Sequence, residues 1–430
     1  MVIHVKGFGK IRSADINIGS LTLFIGENNS GKTYLMQLIY QVLDSLTDLK
    51  GISKYLEENL TQIDSSNFKK INIALNKWLQ ANRNKIVKDI FLCAVPIKEL
   101  GVDLDEIDGK YTLEDTPDIT ATAGAADSYK IKYNGKRKST EFFCVINSTE
   151  SNKIDSFVSS VVRQIVSNHC NCASSSLFIP ASRSGLMLVY RNVFASRGRQ
   201  ALTEITEKRT NNSLGLTRPV YDFLEFLQTY CFDSRDNKLK KEIVDFISKN
   251  IIDGIFDISS NAILYKTSNS NEYFPAHLSS SMVNELAPIV MALTNLGEYR
   301  YIFYDEIETC LHPLKQIEMA RLVVRLVNSN YKMLISTHSD TMAIALNNLI
   351  LLSRSKNKDT KAKTLGYNKD DFFQKNDIHV YQFKCEKGKT NVTEVEMYPN
   401  INIGYDFELF NQSNDKLYND ARIVMEDTDE

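Results

Sequence analysis

The sequence predicts an α/β fold, a mixed central sheet built around a phosphate-binding loop, and three observations predict it. The first is Leu21 to Tyr34, LTLFIGENNSGKTY, where an apolar run ends in Gly26 and where Gly26, Gly31, Lys32 and Thr33 match G-x-x-x-x-G-K-[ST]. The second is a pair of later apolar runs that end in reactive groups: Tyr301 to Tyr304 before Asp305 and Glu306, and Met333 to Thr337 before His338. The third is the alternation of strand-like runs with stretches of helical period along most of the chain.

Composition bounds the rest. The chain has 430 residues, 43% of them hydrophobic, enough for a sizeable core and for two or three domains' worth of material. With 51 basic and 53 acidic residues the formal charge is -2, so no global field points to nucleic acid or membrane. No apolar run approaches the roughly 20 residues of a membrane span and no signal peptide is read, so the expectation is a cytoplasmic protein with no membrane partner. Seven cysteines are scattered except for His169-Cys170-Asn171-Cys172, which has no second pair to complete a zinc site and reads as reduced thiols.

In chain order, Met1 to Ile25 reads as a small set of strands around the turn Gly7-Phe8-Gly9-Lys10. Lys10 and Arg12 either approach the nucleotide or are ordinary exposed charges beside a turn. After the loop, Tyr34, Leu35, Leu38, Ile39, Val42, Leu43 and Leu46 recur at helical spacing, and helical runs continue to about Ile97 without sustained heptads. Leu100 to Asp118 reads as an acidic solvated loop, and Tyr129 to Cys144 as a hairpin around the turn Asn134-Gly135 with a basic run Lys136-Arg137-Lys138. Ile154 to Val166 is helical, Ser176 to Pro180 a short strand, and Arg191 to Arg209 a polar stretch rich in arginine. Helix follows from Val220 to Ile251 and a strand meander from Gly254 to Tyr273. After His338, a hairpin around Gly388 and a helical tail from Gly404 complete the chain.

The loop's spacing follows from its chemistry. Glycines at its ends admit backbone angles that let Gly26, Glu27, Asn28, Asn29, Ser30 and Gly31 wrap a β-phosphate with their N–H groups. Lys32 would reach the β- and γ-phosphates of ATP, the Thr33 hydroxyl would ligate Mg²⁺, and the following helix presents its N-terminus. Asp305 would complete the Mg²⁺ coordination and Glu306 would orient and deprotonate the attacking water. His338, at the next strand end, can hydrogen-bond the γ-phosphate.

GENNSGKT, LSSSMVNE, YIFYDEIETCLHP and STHSD occur in that order, and the order resembles the ATP-binding-cassette (ABC) class of ATPases, more narrowly the SMC-like and OLD-like (overcoming lysogenization defect) AAA group. The resemblance covers Met1 to Leu46 and about Leu177 to Phe383. It implies a head-to-tail dimer, or a higher homo-oligomer, closed through ATP, in which Ser279, Ser280 and Ser281 touch the partner's γ-phosphate. Serines stand where transporter signatures carry two glycines, and the His312-Pro313 ending is the OLD-like form.

The expected organisation is an ABC-type P-loop ATPase whose N-terminal part spans 1–46 and whose C-terminal part spans 176–385. A helical and β insertion fills 47–175, and 386–430 hold the hairpin end and tail of a small C-terminal lid. Its likeness to ATPases of bacterial anti-phage systems such as OLD, Septu and PARIS implies a nucleotide-controlled sensor or scaffold for a separate effector, a nuclease or toxin. The alternative is a DNA-binding repair ATPase resembling RecF and SMC proteins, motivated by the basic runs at 136–138 and 191–209. A non-hydrolysing nucleotide-binding regulator is a third reading.

Overall fold

The computed structural model describes residues 1–56, 61–107, 109–115, 128–135, 139–145, 153–166, 175–191, 215–233, 237–257, 263–398 and 404–426. The cluster at 169–172, the basic run 136–138, the arginines and lysine at 197, 199, 208 and 209, and the acidic end 427–430 lie outside them. The chain divides into two compact units: Met1–Ile18, Thr33–Asp233 and Thr294–Phe303 form one, and Gly19–Lys32, Ser234–Leu293 and Tyr304–Glu430 the other.

In the first unit, β1 (Val2–Phe8) pairs antiparallel with β2 (Ile11–Asn17), from Val2 opposite Asn17 to Phe8 opposite Ile11. Its other edge takes β5 (Glu99–Asp103), also antiparallel. Helix α2 (Phe68–Phe91) buries Ile71, Leu75, Trp78 and Leu79. It also serves β5 directly, since the Asn76 side chain donates to the carbonyl of Val102 at 2.8 Å and accepts from its N–H at 2.9 Å. The backbone of an edge strand is thereby occupied. A second antiparallel sheet runs β4 (Gln62–Ile63), β6 (Gly109–Asp115), β7 (Ser128–Gly135), β8 (Ser139–Val145).

Two expectations fail here. The described part of the segment read as a solvated loop, 100–107 and 109–115, contains most of β5 and all of β6, because its acidic residues are interleaved with Leu100, Val102, Leu104, Ile107 and Tyr111, all buried. Asn134-Gly135 is not the hairpin turn; both residues lie on β7, where Asn134 pairs with Ser139.

Helix α1 (Lys32–Ser45) runs through the core of this unit, where Tyr40 meets Phe178 and Phe303 edge-on at 5.9 and 5.5 Å. Phe178 lies on β9 (Ser175–Ile179) and Phe303 on β13 (Tyr299–Tyr304), which carries the chain into the second unit. Tyr34, counted with the apolar face of α1 in the sequence, is instead 53% exposed and stacks on Phe91 at 5.0 Å. Helices α3 (Lys153–Val166), α4 (183–191) and α5 (Arg218–Thr229) complete the unit. Asp155, buried in the first turn of α3, accepts from the N–H groups of Gly51 and Ser53 at 2.9 and 2.8 Å.

The second unit is organised on β3 (Leu21–Gly26), every residue of which is buried, as expected for a strand covered on both faces. It pairs in parallel with β14 (Lys332–Thr337) on one side and with β15 (Ile378–Glu386) on the other. β15 turns antiparallel into β16 (Lys389–Glu394), so this sheet is mixed and the hairpin around Gly388 belongs to it. A three-stranded meander, β10 (Gly254–Asp257), β11 (Leu264–Thr267) and β12 (Phe274–Pro275), precedes α7 (Ser281–Thr294). The remaining elements are α6 (Lys238–Phe246), α8 (Pro313–Asn328), α9 (Asp340–Arg354), α10 (Lys358–Leu365), the short pair β17 (Met397–Tyr398) and β18 (Gly404–Tyr405), and α11 (Glu408–Glu426).

Asp371, fully buried, holds a turn onto α8 by accepting from Arg321 at 2.9 Å and Arg325 at 2.8 Å, while both guanidinium groups lie over the Phe246 ring. No helix among the described residues is long and apolar enough to cross a membrane.

Candidate functional site

Three strand ends of the second unit deliver the site. The loop after β3 turns on Gly26 (φ 145°), Asn29 (φ 58°) and Gly31 (φ 99°), and a Cβ at Gly26 would collide with the carbonyl of Phe383 on β15. Only glycine fits there, so the first glycine of the motif is required by packing as well as by backbone angle. Glu27, Asn28 and Asn29 are exposed, whereas Ser30 is buried and Lys32 is 4% exposed. Thr33 follows as the second residue of α1.

The Lys32 ammonium donates to the carbonyls of Gly26 and Glu27, both at 2.8 Å, and to Ser30 Oγ at 3.4 Å. It also lies 3.3 Å from His338 Nδ1. Burial pulls the Lys32 pKa down from 10.5 to about 8, against the opposing pull of Asp305, Glu306, Glu308 and Glu27. A cation so placed gains from any anion brought to the loop.

β13 ends in Asp305 and Glu306. Asp305 is 2% exposed and accepts from Ser336 Oγ at 2.6 Å; the same Oγ accepts from the backbone N–H of Glu306 at 2.8 Å. One hydroxyl thus orients both carboxylate residues, and Glu306 turns with φ 46°, a left-handed angle that a non-glycine residue adopts at a cost. The strain concentrates where a side chain is being aimed. Glu306 Oε1 stands 3.5 Å from His338 Nε2, and the Glu308 carboxylate accepts from the His338 backbone N–H at 2.6 Å. Since Lys32 can only donate, His338 Nδ1 accepts from it and the imidazole proton sits on Nε2, facing Glu306. Ser339 then caps α9, accepting from Met342 N at 3.2 Å.

The structure therefore brings Gly26, Glu27, Ser30, Lys32, Asp305, Glu306 and His338 into one connected cluster. Ser279 is half-buried, Ser280 and Ser281 are exposed where α7 begins, and none of the cluster's bonds among the described residues involves them. Arg12 is exposed on β2 in the first unit, and Arg183, at the start of α4, is fully buried and donates to the Pro180 carbonyl at 3.1 Å.

Ser336 and Glu308 belong to the cluster without having been singled out from sequence. Each stood inside a quoted motif, but only the spatial pairing of β13's end with β14 reveals its role. No group of three or more His, Cys, Asp or Glu among the described residues could hold a metal by itself. Asp305, a single buried carboxylate, is the kind of oxygen donor that Mg²⁺ takes when phosphate completes its coordination.

The AAA ATPase domain family matches residues 1–178 and 193–343. No curated protein matches the chain. Among solved structures, it is similar to an Smc head bound to the C-winged helix domain of ScpA at 10% identity, covering 94% of this chain and 99% of that one with a TM-score of 0.41. It is also similar to the SMC head domain from Thermotoga maritima at 9% identity, covering 92% and 98% with a TM-score of 0.35. The family match, spanning more than half of the residues and including every strand end of the site, carries the assignment: the chain belongs to the AAA ATPase domain family.

Proposed function

We propose that the chain binds and hydrolyses ATP as an ABC-type switch, and that the switch controls a separate effector, a nuclease or toxin, in anti-phage defence. The observation that carries the ATPase reading is the cluster itself, a buried Lys32 joined through His338 to Glu306, with Asp305 tied beside it by Ser336. Lys32 would exchange its loop carbonyls for the β- and γ-phosphates, and the N–H groups of residues 26–31 would close around them. Mg²⁺, held by Thr33 and Asp305, would neutralise charge on the β- and γ-oxygens when bound.

Glu306 is the group suited to taking the water proton. Its side chain is 39% exposed and reachable by solvent, whereas Asp305 beside it is buried. His338, 27% exposed, would donate its Nε2 proton toward charge leaving with the γ-phosphate. Ser279, Ser280 and Ser281, at the N-terminus of a 14-residue helix, would add donors to the γ-phosphate of a second copy, making closure depend on ATP. The effector and the anti-phage setting rest on the OLD-like motif order, and 47–175 would serve as the insertion through which a partner is held.

The test is the solution mass of Glu306→Gln by light scattering with and without ATP and Mg²⁺. A doubling on ATP addition supports the composite site. A mass indifferent to ATP, or a salt-dependent and ATP-strengthened duplex shift, would favour gating of an attached partner or the DNA-clamp alternative instead.

A further inference from the structure

The turn after β13 carries a carboxylate that folding alone does not call for. Glu308 accepts from the backbone N–H of His338 with Oε1 at 2.6 Å, a short, charge-assisted bond. Its second oxygen, Oε2, is buried, and nothing among the described residues donates to it. A carboxylate half satisfied in this way costs stability, and a neutral amide could cap the same N–H at less cost.

What Glu308 holds accounts for its presence. β14 pairs with β3 as far as Thr337, opposite Ile25, and beyond that point the chain finds its hydrogen bonds on side chains. The Ser339 N–H donates to Thr337 Oγ1 at 3.0 Å, and the Ser339 hydroxyl donates to Gln316 Oε1 at 2.5 Å. Gln316 in turn donates to the Leu311 carbonyl at 3.0 Å. His338 stands between these ties, with its own N–H on Glu308. Its imidazole has little slack, because Nδ1 lies 3.3 Å from the Lys32 ammonium and Nε2 lies 3.5 Å from Glu306 Oε1. A main-chain shift of about 1 Å would open one of these contacts, a displacement large enough to slow a reaction roughly a hundredfold.

We propose that Glu308 is a positioning residue for hydrolysis, acting through His338 by fixing the main chain so that one ring nitrogen stays on Lys32 and the other on Glu306. The role rests on the reading of this cluster as an ATP-hydrolysing site. Glu308 itself transfers no proton.

Single-turnover phosphate release and ATP affinity of the full chain test it, measured for Glu308→Ala, Glu308→Gln, His338→Ala and the double variant Glu308→Ala with His338→Ala. The release rate should fall about ten- to a hundredfold in Glu308→Ala, with the Kd for ATP within about threefold of wild type. Glu308→Gln, which keeps an acceptor for the N–H, should recover most of that loss. In the His338→Ala background, removing Glu308 should cost nothing further. Losses that multiply, or a glutamine no better than alanine, would overturn the proposal, since Glu308 would then act in its own right or by its charge. The tie between Ser339 and Gln316 remains in every variant, and matched thermal melting checks folding.

A readout free of turnover separates this role from the ATPase reading. With histidine-only ¹⁵N labelling and no nucleotide, NMR should show the Nε2-protonated tautomer of His338 in wild type and in Glu308→Gln, and its loss in Glu308→Ala. An unchanged His338 signal in Glu308→Ala would overturn the proposal even if turnover fell. Absence of turnover in wild type would contradict the ATPase reading instead, with the tautomer still deciding whether Glu308 sets His338.

Discussion

Raising the pH should release nucleotide through Lys32. Its ammonium, 4% exposed, has a pKa of about 8 rather than 10.5 because burial outweighs the carboxylates around it. If the charged form grips the phosphates, affinity follows the protonated fraction. That fraction falls from about three-quarters at pH 7.5 to about 3% at pH 9.5, raising the Kd for ATP about 25-fold, whereas an unperturbed lysine would lose only about a tenth of its charge. The γ-phosphate has already lost its last proton across this range.

Isothermal titration at constant Mg²⁺ in two buffers of different ionisation heat reads both the affinity and its proton stoichiometry. Binding at pH 9 should take up close to one proton, and Lys32→Arg should bind with no such pH slope. Stability runs the other way. The folded pKa lies below the unfolded one, so the unfolded chain holds more protons between about pH 8 and 10.5, and this residue's contribution to stability rises with pH across that window. A wild-type Kd constant within twofold from pH 7.5 to 9.5 would refute the reasoning.

Ser336→Ala removes the hydroxyl that bonds Asp305 and receives the Glu306 N–H, so kcat should fall by about ten- to a hundredfold with a smaller change in ATP affinity, measured by phosphate release. Gly26→Ala places a methyl group against the Phe383 carbonyl at φ 145°, and should abolish ATP binding and lower the melting temperature. Asp371→Ala leaves Arg321 and Arg325 without their shared buried carboxylate, a loss of about 3–5 kcal/mol readable by urea denaturation, with turnover per folded molecule unchanged.

The parts of the site legible in the sequence are those whose chemistry constrains neighbours along the chain. A phosphate loop needs its glycines, lysine and hydroxyl within eight residues, and a strand that ends in carboxylates announces itself by the apolar run before it. Ser336 and Glu308 were not legible, because their contacts join residues about 30 positions apart through the pairing of strand ends. The Arg321–Asp371 pair, 50 residues apart, was hidden for the same reason. The strands within 100–118 were missed because acidic residues dominate the composition, among them the exposed Asp103, Asp105 and Glu106, while Leu100, Val102 and Tyr111 face inward. Tyr34 misled in the opposite sense, since helical spacing alone does not distinguish an aromatic that packs in a core from one that stacks on a surface neighbour.

The most direct test of the central claim, an ATP site that hydrolyses through Glu306, is steady-state phosphate release by wild type and Glu306→Gln alongside ATP affinity for both. Mg²⁺-dependent turnover by wild type, with Glu306→Gln binding ATP equally well but releasing phosphate at least a hundredfold more slowly, is the predicted result. Equal turnover by the two proteins, or no ATP binding by either, would contradict it.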